Sequence, residues 1–108
     1  MRLAAGFWVG TYRRRLEQAG IACYIARRGD DTAGAVIVKL ATMDGRATLY
    51  ERRSDLLSGT ARWIVLAEGP EAEIDASARR QAGFDPDLWI VEVEDRQGRH
   101  FLDQEGLE

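Results

Sequence analysis

Ala35-Val36-Ile37-Val38-Lys39-Leu40-Ala41-Thr42-Met43-Asp44-Gly45-Arg46-Ala47-Thr48-Leu49-Tyr50-Glu51 is the stretch that decides the fold. Its first part, 35–40, is β-branched and nearly continuously apolar, the pattern of a central strand covered on both faces over part of its length. Met43-Asp44-Gly45-Arg46 supplies an Asp-Gly turn, and Ala47-Thr48-Leu49-Tyr50-Glu51 follows as the hairpin partner.

Working back toward the N-terminus, Ala22-Cys23-Tyr24-Ile25-Ala26 has period two, with Ile21, Cys23 and Ile25 on one face, and reads as a strand that ends in Arg27-Arg28-Gly29-Asp30-Asp31. Before it, Trp8, Tyr12, Leu16 and Ala19 recur every four residues and predict an amphipathic helix over 7–19, closed by Gly20. An alternative start places a short edge strand over residues 2–6. Forward of the hairpin, 52–60 shows no period and reads as a surface connection. Arg62-Trp63-Ile64-Val65-Leu66-Ala67 resumes as a strand, Pro70 with Glu71 and Glu73 opens a helix over 70–82, and Asp85-Pro86-Asp87 turns the chain into a last strand over 88–94.

The order α-β-β-β-β-α-β predicts an α+β fold, a mostly antiparallel sheet of about five strands with both helices on one face. Trp63, Val65, Trp89, Val91 and Val93, with Val36, Val38 and Leu40, would then face the helices. Ile37, Ile64, Leu66 and Ile90 would face the other way and leave a partly apolar outer face that a second copy could cover, as a homodimer.

Residues 1–108 fit a single domain, and a chain of this length buries about 65% of the surface it exposes unfolded, enough for a core without staples. Cys23 is the only cysteine, which removes an intramolecular disulfide and a multi-cysteine zinc site and points to the cytoplasm. The apolar opening is cut off by Thr11-Tyr12 and Arg13-Arg14-Arg15, too early for a signal peptide, and no run approaches a membrane span, so no membrane partner is expected. The net charge of -3 is split: residues 1–54 carry +5 and residues 55–108 carry -8.

Familiar catalytic kits are poorly supplied. A Ser-His-Asp or Cys-His arrangement would have to use His100, the one histidine, in a polar turn. No Walker-type or dinucleotide-binding glycine loop is present, and the glycine-containing run 27–34 enters a strand where a phosphate loop opens a helix. No cofactor and no metal site is expected, and Asp85, Asp87, Glu92, Glu94, Asp95 and Asp103 match no EF-hand spacing. A magnesium-dependent nuclease would need an acid two residues before Lys39, where Ile37 stands, or Asp44 with Glu51-Arg52-Arg53. The candidate binding residues are Arg13, Arg14, Arg27, Arg28, Arg52 and Arg53, which could converge into a patch for anions or nucleic acid.

Three stretches carry a resemblance: Arg28-Gly29-Asp30-Asp31-Thr32-Ala33-Gly34-Ala35-Val36-Ile37-Val38-Lys39, Glu68-Gly69-Pro70-Glu71-Ala72-Glu73-Ile74-Asp75, and Phe84-Asp85-Pro86-Asp87-Leu88-Trp89-Ile90-Val91-Glu92-Val93-Glu94-Asp95. With Phe7-Trp8-Val9 and Arg13-Arg14, the chain resembles a short alphaproteobacterial family known as domain of unknown function 1491. The resemblance implies an uncharacterised bacterial protein and brings no catalytic residue, ligand or cofactor. The leading expectation is a non-enzymatic interaction or regulatory domain.

Overall fold

The computed structural model describes residues 3–108. Helix α1 (Ala5–Gln18) buries Ala5, Trp8, Val9, Tyr12 and Leu16 on one stripe. It starts at Ala5, so the alternative strand over 2–6 is replaced from Ala5 onward by helix, and residues 1 and 2 lie outside the described residues. Its first-turn donors find no side-chain cap and are met by another loop: Ala5 N–H reaches the Thr32 carbonyl and Gly6 N–H the Asp31 carbonyl. Gly20, at a φ of 76°, ends the helix as its spacing indicated.

The strands are β1 (Ala22–Arg27), β2 (Val36–Ala41), β3 (Arg46–Ser54), β4 (Ala61–Pro70) and β5 (Trp89–Glu94), with α2 (Glu71–Phe84) between the last two. They form one sheet in the order β1-β5-β2-β3-β4, antiparallel everywhere except between β2 and β5. The α+β class, the element order and the 35–51 hairpin are as the sequence indicated.

The placement of the helices is not. α1 packs with Cys23, Val38, Leu40, Trp89, Val91 and Val93, whereas α2 packs through Ile74 and Ala78 on Ile37, Leu49 and Ile90. These two sets alternate along β2 and β5, so the helices lie on opposite faces. The reason is the apolar run itself: β2 and β5 are buried on both sides and need a layer on each. β4 and β5 point the same way, so α2 is the crossover that carries the chain back past β3 and β2. The face of Ile37 and Ile90 is therefore covered by α2, and the surface on which a sheet-face dimer was expected is occupied from within the chain.

Two further differences shape the molecule. Residues 52–54 are not loop but paired strand, and β4 starts one residue before the expected Arg62, with Arg52 opposite Trp63 and Arg53 opposite Arg62, so the β3–β4 ribbon outruns β2 and only 55–60 forms the tip. The C-terminal segment folds over the α1 side without regular structure and buries Leu102 and Leu107 completely or nearly so. Both Trp8 and Trp63 donate their indole N–H to the Leu107 carbonyl, at 3.3 and 2.8 Å, and the Tyr12 hydroxyl donates to the His100 carbonyl at 2.7 Å. Leu107→Ala should cost about 2–5 kcal/mol, as for other fully buried leucines, read as a lower urea midpoint at an unchanged slope.

Candidate functional site at one end of the sheet

The loop 28–35 and the segment 85–89 interlock where β1 ends and β2 and β5 begin. Asp30 N–H donates to the Asp87 carbonyl (3.0 Å), Trp89 N–H to the Ala35 carbonyl (2.8 Å) and the Trp89 indole to the Asp30 carbonyl (2.8 Å). Arg27 spans the same seam, donating to the carbonyls of Pro86 and Leu88. Backbone approach is so close that a β-carbon on Gly29 or Gly34 would collide with the Asp87 carbonyl oxygen. Two of the three stretches that carry the family resemblance are thus the two halves of one latch.

All three stretches meet at Lys39. Its ammonium, 6% exposed, lies 2.8 Å from Glu71, 2.6 Å from Asp75 and 3.4 Å from Glu92. Burial pushes the Lys39 pKa down, but the hydrogen bonds that the ammonium donates to Asp75 and Glu71, with the Glu92 charge, outweigh it and hold the ammonium well above its ordinary value. Such a lysine is a fixed cation rather than a base. It ties the first turn of α2 to β2 and β5, and the sequence showed only its apolar strand, not its carboxylates.

The candidate arginines do not form one patch. Arg13 pairs with Glu17 at 3.0 Å, and Arg14 is exposed on the same helix. Arg28 pairs with Asp31 and lies over the Trp89 ring at 5.3 Å. Arg13 and Arg28 share a shallow groove with the exposed Phe7, whereas Arg27 lines a different groove beside Arg79. Arg52 and Arg53 belong to the ribbon, Arg53 against Glu51. Asp44 sits in the β2–β3 turn while Glu51 lies opposite Ile37, so the two acids considered for a nuclease fall at opposite ends of β3.

Cys23 is buried, and burial pushes its thiol up to about 11. His100 accepts from the Leu102 N–H through Nδ1 and packs against Tyr50, contacts that hold the C-terminal segment, and burial lowers its pKa. Among the described residues no group of three or more His, Cys, Asp or Glu is placed to hold a metal ion.

A notch of about 230 Å³ with an aromatic wall lies at the end where the ribbon outruns β2. Trp8, Trp63, Val36 and Leu88 give it apolar walls, and Glu51, Arg52 and Asp85 bring charge to it. Its α1-side wall is held by the shared indole bonds to Leu107. Beside it the tip exposes Leu56 by 96% and Leu57 by 99%, and Phe84 by 87% follows at the end of α2. The sequence signal was an apolar pair inside Arg52-Arg53-Ser54-Asp55-Leu56-Leu57-Ser58-Gly59-Thr60, passed over because the segment has no period.

Lys39→Met should leave Glu71, Asp75 and Glu92 facing one another and destabilise the fold by about 2 kcal/mol, less than a fully buried broken pair because the carboxylates are a third or more exposed. The deficit should shrink between low and high salt, read by urea titration at each ionic strength.

No curated protein matches the chain. A crystal structure of a DUF1491 family protein from Caulobacter crescentus is similar over 96% of each chain, at 40% identity and a TM-score of 0.85. An NMR structure of a DUF1491 family protein from the same organism is 41% identical over 95% of this chain and 94% of that one, with a TM-score of 0.82. The solution structure of a protein from A. tumefaciens is 31% identical over 87% and 86%, with a TM-score of 0.74. The model of the family described as "Protein of unknown function (DUF1491)" matches residues 3–103, and the chain belongs to that family, uncharacterised in function, as its three interlocking stretches implied.

Proposed function

We propose that this protein is a non-enzymatic interaction domain whose binding end is the notch and the β3–β4 tip. One observation carries the reading: Leu56 and Leu57 are almost wholly exposed on a tip that is ordered by its own hydrogen bonds. A soluble chain that holds two adjacent leucines out in water forgoes about 1.5–3 kcal/mol of burial for each, which a partner surface returns. The neighbouring notch supplies the recess into which an anchor side chain fits, as anchors at the centres of interfaces do. The chemistry at hand agrees: Cys23 is buried, the His100 ring is engaged by the Leu102 N–H and Tyr50, and Lys39 is bound by carboxylates. A cytoplasmic setting belongs to this reading, supported by the single cysteine and by the absence, among the described residues, of any helix long and apolar enough to cross a membrane.

A second reading, anion or single-stranded nucleic-acid binding, is supported by the groove that Phe7, 65% exposed, lines together with Arg13 and Arg28. Arg13→Ala with Arg28→Ala should then lower retention on heparin at low salt. Equal retention of variant and parent would remove this reading.

For the leading reading, a photo-crosslinking residue at position 57 in living cells should give discrete adducts, and one at the exposed Arg46, at the far end of β3, should give none. Charge reversal of Arg53 and Arg62 should weaken the position-57 adducts. Position-57 labelling no stronger than position-46 labelling would contradict the interaction domain.

A further inference from the structure

We infer that the occupant of the notch is the hairpin tip of a second copy of this chain, the two copies exchanging tips about a two-fold axis. The inference rests on the interaction-domain reading and names its partner.

The tip is a preformed knob. Asp55 N–H donates to the Thr60 carbonyl at 2.7 Å, Gly59 N–H to the Asp55 carbonyl at 2.9 Å, and the Asp55 carboxylate accepts from the Leu57 N–H at 2.9 Å. Gly59, at a φ of 72°, closes the turn. Little order remains to be imposed on it when it docks.

The notch is a socket of matching size. Its 230 Å³ exceeds the roughly 150 Å³ of an apolar cavity that admits benzene, so one leucine side chain enters with room to spare. Trp8 and Trp63 offer it an apolar wall already fixed by their bonds to Leu107.

Knob and socket sit two residues apart, since Ser54 lines the notch and Leu56 begins the exposed pair. Asp55 alone separates Ser54 on the notch from Leu56, and its bonds to Thr60 and Gly59 fix it, so the leucines have no slack with which to fold back into their own notch. A two-fold axis beside Ser54 brings each tip to the other notch, and the contact closes after two copies because both halves are the same surface.

Charge supports the same arrangement. Arg53 and Arg62 are directly opposite across the ribbon and therefore share its α2 side, an unfavourable like-charge pair in one chain. Glu51 partly offsets it from within the chain. Asp85, at the end of α2 and on the notch rim, presents a carboxylate to the arginines of an incoming ribbon. Reciprocal docking gives two such encounters, which fix register as much as affinity.

The test is sedimentation equilibrium of the full chain from about 1 μM to 1 mM, the range in which modest interfaces dissociate. The mass should move from one chain to two. Leu57→Asp, which changes only an almost wholly exposed side chain, should raise the dissociation constant at least tenfold while the circular dichroism spectrum stays unchanged. Asp85→Arg should weaken the dimer, and adding Arg53→Asp and Arg62→Asp should restore it. A one-chain mass at 1 mM, or a dimer indifferent to Leu57→Asp, would overturn the inference. If that monomer still gives position-57 adducts with a different protein in cells, the second-copy assignment falls alone; if it gives none, the interaction domain falls with it.

Discussion

The constraint on which the rest of the structure depends is the two-sided burial of the parallel pair β2 and β5. Val38, Val91 and Val93 are fully buried on one side of this pair while Ile37 and Ile90 are buried on the other, so neither face can be left to water. α1 and the C-terminal segment supply one cover, and α2 supplies the other. Parallel strands also require a crossover, and α2 is that crossover. The Lys39 node pins it: one buried ammonium joins β2 to β5 and to the first turn of α2, so the cover cannot slide along the sheet without separating a desolvated cation from its carboxylates.

Strand lengths then place the binding end. β2 begins at Val36 and its pairing with β3 ends at Ile37 opposite Glu51, beyond which β3 and β4 run on as a two-stranded ribbon. The step between them is the notch, bounded by the start of α1, the end of α2 and the latch of 28–35 against 85–89. A two-stranded ribbon alone is marginal in water. This one is held where Trp63 packs on Trp8 at 5.1 Å and donates to Leu107. The same contacts that stabilise the ribbon wall the notch, so packing and recognition share residues here.

How much of this could be read from the sequence varies with the kind of signal. The 35–51 hairpin was legible because an Asp-Gly turn between apolar runs has few other readings, and Gly20 and Pro70 marked helix ends by backbone chemistry that any context keeps. The run 35–40 even stated that both faces are covered. What covers each face was not legible, because period two says that Ile37 and Val38 point apart and nothing about which helix meets which. The end of β3 over 52–54 was not legible because Arg52 and Arg53 lie in a part of the sheet with water on at least one side, where burial writes no pattern. Leu102 and Leu107 were missed for a related reason: isolated leucines in a polar turn-rich tail show no period, yet each fills a place beside the tryptophans. The Lys39 carboxylates come from α2 and β5, and only the crossover brings them to one point. The six arginines come from a helix and two strand ends, whose relative placement no local pattern gives: Arg13 and Arg28 share one groove, while Arg27 and Arg52 line two others.

Native-state hydrogen exchange tests the central claim, that the pair covered on both faces organises the fold while the ribbon is an outlying element. The account predicts that amides of Ile37–Ala41 and Ile90–Val93 exchange only through global unfolding, with those of Arg52–Ser54 and Ala61–Trp63 opening well before them. Protection of the ribbon equal to that of β2 and β5 would contradict it.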